Sequence, residues 1–300
     1  MIKIEVLMVI NALKQTQRFL GLGDIPAHKL KARYSEDAYY LHVQGVDVRI
    51  KESGQGEPLI LLHGFSASAD TWDGWRKELS DQFRVIAIDV PPFAISGPLP
   101  VGKTTPNAVI HFINAVTERL GLKQFYLGGN SLGGYLSWRY TVYYPTKVKK
   151  LILVDSAGYS MPTPVAVLLT RHQLTRHLVK FVTPLPFVVQ SVRSVYGDSS
   201  RIPRGTIRRY QDLLRREGTR AAIADMMRGI ITDSPDIKLI RTPTLVIWGA
   251  KDTWIPLKHG HQFQRDIPNA KLVIYDDLGH IPMEEDPKRT AADARHFLTR

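Results

Sequence analysis

The chain of 300 residues contains no cysteine. That excludes a disulfide framework, a thiolate nucleophile and a cysteine-ligated metal. Long hydrophobic runs are also missing. The run from Ile4 to Ile10 is broken by Glu5 and is too short to span a bilayer. It lacks a charged start and a small-residue cleavage site, so it does not read as a secretory signal. There is no His-Glu-x-x-His zinc motif. Gly102-Lys103-Thr104 has the ending of a phosphate-binding loop without its upstream glycine and strand. Repeats and low-complexity tracts are absent, and neither a metal nor an organic cofactor is expected. Acidic residues are in deficit: 40 Lys and Arg against 28 Asp and Glu leave a net charge of +12. An excess of this sign suits a membrane surface or an acidic ligand. No nucleic-acid-binding motif accompanies it, so no nucleic acid partner is expected.

What is present is a rhythm of strands and helices. A hydrophobic fraction of 44% is ample for a buried core. Apolar runs at Pro58–Leu62, Phe83–Ile88, Gln124–Gly128, Leu151–Val154, Thr244–Gly249 and Lys271–Tyr275 read as strands. Between Asn107 and Leu120, the positions Val109, Ile110, Ile113, Val116 and Leu120 recur at helical spacing, and Gly121 is a stop. The class is α/β, with a mostly parallel sheet and helices on both faces. Tyr39 to Ser53 alternates like an antiparallel hairpin turning near Gly45-Val46-Asp47. Between Gly158 and Ser234 the rhythm breaks, and Pro162, Pro164, Pro184, Pro186 and Pro203 punctuate segments of helical spacing. The expected organisation is an N-terminal helix and linker over residues 1–38, a core over 39–157 and 235–300, and a helical insertion over 158–234.

Five residues carry the chemistry. Gly129-Asn130-Ser131-Leu132-Gly133 follows a strand and precedes a helical stretch from Gly134 to Tyr140. Strand, Gly-x-Ser-x-Gly, helix is the layout of a nucleophile elbow. The turn is so tight that side chains two positions before and after the serine must be nearly absent. The helix start behind it offers unpaired N–H groups and partial positive charge to a developing oxyanion.

A serine needs a base and an orienter for that base. Asp252 leaves the strand Thr244–Gly249, and His280 leaves the strand Lys271–Tyr275. Ser131, Asp252 and His280 thus stand in the chain order this layout requires. Asp155, ending the strand before the insertion, is the rival acid. Among the other histidines, His63 fits a structural or oxyanion-loop role, and His259 and His261 fall on a helix and read as solvated. The backbone N–H groups of Phe65 and Leu132 are the expected oxyanion donors, because the loop after the strand Pro58–Leu62 supplies the second one.

These pieces resemble the α/β-hydrolase-fold serine hydrolases of the esterase, lipase and C–C hydrolase branch. The matching segments are His63-Gly64-Phe65 with Thr71-Trp72, Asp89-x-Pro91 through Ser96, Gly129 to Gly134, Gly249-Ala250-Lys251-Asp252, and Gly279-His280-x-Pro282-x-x-Glu285-x-Pro287. The resemblance implies an eight-stranded type of sheet and a helical lid at 158–234. It also implies a Ser-His-Asp triad cleaving apolar carboxylic esters through an acyl-enzyme. Alternatives are C–C hydrolysis of vinylogous diketones and a ligand-binding member without catalysis. Gly64, Asn130, Trp72, Phe93, Val167, Leu168, Phe187, Met227 and Ile281 are the expected pocket residues. One departure is plain: Pro92 and Ala94 replace the two glycines of the Asp-x-Pro-Gly-x-Gly-x-Ser segment, which makes positive φ unexpected there.

Two segments bear on membranes. Ile2, Val6, Val9, Ile10 and Leu13 are spaced as an amphipathic helix that packs on the body or touches a membrane. Arg208, Arg209, Arg215 and Arg216 alternate with Ile207, Leu213 and Leu214, a pattern for anionic lipid or for a solvated face. The expected location is cytoplasmic, with peripheral membrane contact as the variant.

Overall fold

The computed structural model describes residues 15–100, 104–160 and 181–300. These form an eight-stranded sheet of order β1-β2-β4-β3-β5-β6-β7-β8. The strands are β1 (Tyr39–Val43), β2 (Val46–Ser53), β3 (Glu57–Leu62), β4 (Phe83–Ile88), β5 (Phe125–Asn130), β6 (Val148–Val154), β7 (Thr244–Gly249) and β8 (Lys271–Tyr275). β2 pairs antiparallel with β1 and β4, and every other pairing is parallel. The expected hairpin is present, with Gln44 and Gly45 at positive φ, as its two-residue turn demands.

Successive side chains of each central strand enter opposite faces. Ile60 and Leu62 join one cluster with Ile86, Leu127, Leu153 and Trp248, while Leu59 and Leu61 join another with Val85, Ile152 and Ile247. The helix α3 (Pro106–Arg119) and the helix α4 (Leu132–Tyr143) cover the first face. The helices α2 (Asp73–Leu79) and α10 (Pro287–Thr299) cover the second. Each fully buried Leu or Ile here contributes roughly 1.5–3 kcal/mol. Burial on both faces explains why these strands read as continuous apolar runs rather than alternating ones.

The linker expected before Tyr39 contains a two-turn helix, α1 (Ala27–Tyr34), which sequence spacing did not reveal because it buries a single side chain, Leu30. Residues 15–20 are helical, and Gly21 at φ +62 ends that stretch against the Thr183 backbone. The expected amphipathic helix before Gln15 lies outside the described residues.

Three helices stand between β6 and β7 among the described residues: α5 (Leu185–Val195), α6 (Thr206–Leu214) and α7 (Thr219–Arg228). After β7 come α8 (Lys258–Asp266), the short α9 (Pro282–Glu285) and α10. The arginine stripe on the inserted segment differs from expectation. Arg215 is buried, donating to the carbonyls of Leu22 (2.5 Å) and Gly23 (3.2 Å). Arg220, also buried, reaches the Gly21 carbonyl (3.3 Å) and Asp24 (2.6 Å). Arg209 lies between Asp70 and Glu284, 4.0 Å from each. Buried cations need such partners. Most of this charge therefore holds segments together, and Arg208, paired with Asp212, is the exposed one of the four.

Candidate active site

The chain runs from β3 to β4 on one side of the sheet and then returns to β5 on the other side of β3. A sheet of this kind opens a crevice at the carboxyl ends of the strands where its order reverses. Ser131 leaves β5 there and Phe65 leaves β3.

Ser131 has φ +55 and ψ −116, a backbone conformation that costs a non-glycine residue about 1–3 kcal/mol. Its neighbours hold it there. A Cβ on Gly129 would lie 2.3 Å from the Gly133 carbonyl oxygen, and one on Gly133 would lie 2.1 Å from that of Leu62. The Ser131 N–H donates to the Val154 carbonyl (3.0 Å), and the Ser131 carbonyl accepts from Tyr135 (3.0 Å) and Ala157 (3.1 Å). Leu132 opens α4. Its N–H and that of Phe65 have no hydrogen-bond partner among the described residues. Gly64 lies against the serine, where a Cβ would meet Ser131 Cβ at 3.1 Å.

The loop bearing Phe65 is fixed from behind. His63 is fully buried, and burial lowers its pKa. Its Nε2 accepts from the Val90 N–H (2.9 Å), so Nδ1 carries the proton and donates to the Gly64 carbonyl (2.8 Å). Asp89 accepts from the Ala69 N–H (2.8 Å) and the Ile95 N–H (3.1 Å). His63, expected in a structural or oxyanion-loop role, thus braces the loop that carries Phe65.

Asp252 and His280 are brought together. Asp252 Oδ2 lies 2.7 Å from His280 Nδ1, and both side chains are buried. Asp252 Oδ1 accepts from the Trp254 (2.7 Å) and Ile255 (2.9 Å) N–H groups. The His280 backbone is placed by its N–H to the Val195 carbonyl (2.8 Å) and by Asn130 Nδ2 to its own carbonyl (2.9 Å). Glu285 anchors the same loop, its carboxylate accepting from Gly279 (2.6 Å) and from Gly197 and Asp198. Ser131 Oγ makes no hydrogen bond to the imidazole here. Catalytic contacts of this sort are often long before substrate binds.

Asp155 is the second acid at this place. It is fully buried at φ +43 and accepts from the Gly249 N–H (3.0 Å). Burial and the neighbouring Asp252 charge raise its pKa well above the usual carboxylate range. Polar atoms of Asp155, Asp252 and His280 all lie within 4.8 Å of one another. This is the one such grouping among the described residues that could share an ion, and its short internal hydrogen bond already uses the facing atoms of Asp252 and His280.

The expected pocket residues fare unevenly. Phe93 meets Phe65 edge to face at 5.1 Å, which keeps it beside the oxyanion loop. Ile281 is buried next to His280, and Met227 is half-buried on α7. Trp72 is a correction: it is fully buried and packs on Trp75, because the short helix carrying it turns its ring into the core. Asn130 is a brace rather than a lining residue, its amide donating to the Val154 and His280 carbonyls. Phe187 points outward on α5, 51% exposed. Val167 and Leu168 lie outside the described residues. His259, expected to be solvated, is buried against Tyr159 because α8 turns that face to the sheet.

Sequence reasoning missed Trp254. Its indole stacks on the His280 ring (5.8 Å, 18°), and its Nε1 donates to Ser194 Oγ of α5 (2.9 Å). The available signal was an aromatic two residues beyond the candidate acid.

An elbow serine, two unpaired N–H groups and a buried imidazole–carboxylate pair on this sheet define a class. The chain belongs to the alpha/beta hydrolase fold family, whose match covers residues 57–287. It is similar to lipase 3 of Moraxella sp. (strain TA144), 28% identical over 260 residues, which covers 81% of this chain and 77% of that protein. It is also similar to the 2-hydroxy-6-oxo-6-(2'-aminophenyl)hexa-2,4-dienoic acid hydrolase of Metapseudomonas resinovorans, 27% identical over 278 residues, with coverage of 89% and 93%. Among solved structures, a thermophilic esterase from Thermogutta terrifontis superposes with a TM-score of 0.74 at 27% identity, with coverage of 87% and 97%.

Proposed function

We propose that this protein is a serine hydrolase that cleaves apolar carboxylic esters, with Ser131 as nucleophile, His280 as base and Asp252 as orienter. The observation that carries the reading is the buried 2.7 Å contact of Asp252 with His280 Nδ1, at the same end of the sheet as a serine held at positive φ, with Asp252 two strands and His280 three strands from it. That contact holds the proton on Nδ1 and leaves Nε2 to act. Ser131 Oγ bonds to the ester carbonyl carbon as its proton passes to Nε2. The carbonyl π pair moves onto oxygen, where the Phe65 and Leu132 N–H groups receive it, each worth about 3 kcal/mol to the transition state. Collapse breaks the bond to the alkoxide, which takes the proton from His280. Water repeats the sequence on the acyl-enzyme and releases the acid.

The segment 158–234 acts as the lid of this site. Supporting this, its α5 end meets the acid loop through Trp254–Ser194 and the histidine loop through His280–Val195 and Gly197–Glu285. The nearest alternative, hydrolysis of an acidic dienoate as in the Metapseudomonas relative, needs a cation for the substrate. Arg215 and Arg220 are engaged by backbone carbonyls and Asp24, which favours the uncharged ester. The test is turnover of p-nitrophenyl butyrate beside a ring-cleavage dienoate. The ester is expected to turn over, and Ser131→Ala is expected to lose at least about 10⁴-fold in kcat along with fluorophosphonate labelling. Undiminished ester turnover in Ser131→Ala would refute the assignment. Turnover of the dienoate alone would transfer it to the C–C reaction.

A further inference from the structure

Asp155 is a buried carboxyl that the proposed mechanism does not use. It directly follows β6, one strand from the strand that Asp252 follows, and is fully inaccessible. Its Oδ1 has a donor in the Gly249 N–H, 3.0 Å away, but its Oδ2 has none among the described residues. A buried carboxylate oxygen without a donor costs several kcal/mol, whereas a carboxylic acid can donate its own proton instead. Acceptors are at hand, because Asp252 and His280 both present polar atoms within 4.8 Å of it.

We propose that Asp155 is a positioning residue: a protonated carboxyl that donates to the Asp252 carboxylate and fixes that carboxylate against His280. This rests on the triad reading above. Two adjacent carboxylates in a buried site cannot both ionise, so one of them keeps its proton. Asp252 is the one held as an anion, since two backbone N–H groups and the imidazole already donate to it. Asp155 receives a single backbone N–H, and its upward-shifted pKa agrees with the assignment. The other groups facing the pair are Glu285 of α9 and, on the α8 side, His259 with Lys258 and Asp233 beside it. Asp155 also explains its own backbone: φ +43 is tolerated by aspartate and asparagine better than by bulkier residues, and here it aims the carboxyl at its neighbour.

The consequence is a directed effect on the base. A proton donated to Asp252 spreads its charge and weakens its hold on the imidazolium. Removing the donor strengthens that hold, so the acid limb of the kcat/KM profile moves to higher pH. A second consequence appears when the Asp252 charge is removed. The repulsion that adds to burial in keeping Asp155 neutral then disappears, and Asp155 ionises more readily beside His280.

Four variants test this, read against wild type and against Ser131→Ala, which alone decides the underlying triad assignment. Asp155→Leu is expected to raise the acid limb by about one pH unit. Asp155→Asn retains a donor toward Asp252 and an acceptor for Gly249, and its acid limb is expected to stay at the wild-type position. Asp252→Asn is expected to lose far less than the roughly 10⁴-fold typical of a triad without its acid, and Asp155→Asn/Asp252→Asn to lose that full factor. Infrared spectra with 13C-labelled aspartate supply a readout independent of turnover and of the folding of Asp155→Leu. A protonated-carboxyl band at neutral pH, lost in Asp155→Asn, supports the proposal. Absence of that band in the wild type overturns it, as does an equal loss in the single and double variants of Asp252.

Discussion

At the ends of the central strands, Asp252 and His63 each bind backbone close to them in the chain. Asp252 accepts from N–H groups two and three residues ahead of it, and His63 donates to the very next carbonyl. In the inserted segment the partners are remote. Arg215 and Arg220 bind carbonyls of Leu22 and Gly21, 193 and 199 positions away. Arg209 of α6 lies between Asp70 and Glu284, on two other segments of the chain. The first kind of arrangement is dictated by a short motif and a strand end. The second arises only once distant pieces of chain have met, so the insertion is placed by contacts that no local pattern encodes.

That contrast is the measure of what could be read in advance. The strands, the hairpin, the elbow and the pairing of Asp252 with His280 all follow from local demands: apolar runs buried on both faces, glycines where a Cβ would collide, an acid and a histidine just past successive strands. The hidden features are those that depend on the far chain. Trp254 stacks on His280 and reaches α5. Trp72, conspicuous near the oxyanion loop in sequence, faces the core instead. The arginine stripe looked amphipathic because alternation alone does not distinguish lipid or solvent from a buried carbonyl.

The largest test of the local side is Gly133→Ala. The added methyl would sit 2.1 Å from the Leu62 carbonyl oxygen and 2.6 Å from that of His63, both backbone atoms of the neighbouring strand and its loop. Neither can yield without moving β3 from β5. A loss of roughly 4 kcal/mol or more, at the upper end of overpacking penalties, is expected in urea unfolding, together with loss of fluorophosphonate labelling. Soluble, labelled and equally stable Gly133→Ala protein would show that the elbow is far looser than these distances require.

The boundary between the two regimes is tested by Glu284, buried between Tyr196, which donates to it at 2.8 Å, and Arg209. Burial pushes its pKa up from 4.5 to about 7, against the opposing pull of Arg209. For an acid with a raised folded-state pKa, the folded state holds the proton more tightly than the unfolded one. The associated stability is present below pH 4.5 and is lost as pH rises through about 7. Unfolding free energy should therefore fall across that window, by up to roughly 3 kcal/mol from this group. Glu284→Gln should flatten the slope. An unchanged slope in that variant would assign the pH dependence elsewhere.

The smallest effect concerns the loop on which the insertion lands. Thr219 Oγ1 donates to the Pro92 carbonyl (2.8 Å), and Arg216 reaches that of Ser96 (3.5 Å). Ala94 in this loop adopts φ +55, contrary to the expectation that replacing glycine would exclude it. The turn is over-determined from outside: Asp89 binds the Ile95 N–H at 3.1 Å, and the Phe93 carbonyl accepts from Gly97 at 3.1 Å. A non-glycine residue in this region carries about 1–2 kcal/mol of strain. Ala94→Gly relieves it, but loses a buried methyl worth about 0.8 kcal/mol and gains unfolded-state entropy. The net stabilisation should be no more than about 0.5 kcal/mol, read as a small upward shift of the urea midpoint at constant slope. A gain well above that would mean that Ala94 carries more strain than the contacts around the loop offset. A clear loss would mean that Ala94 carries no strain, and that packing against the insertion, rather than the Asp89 turn, sets the course of the loop.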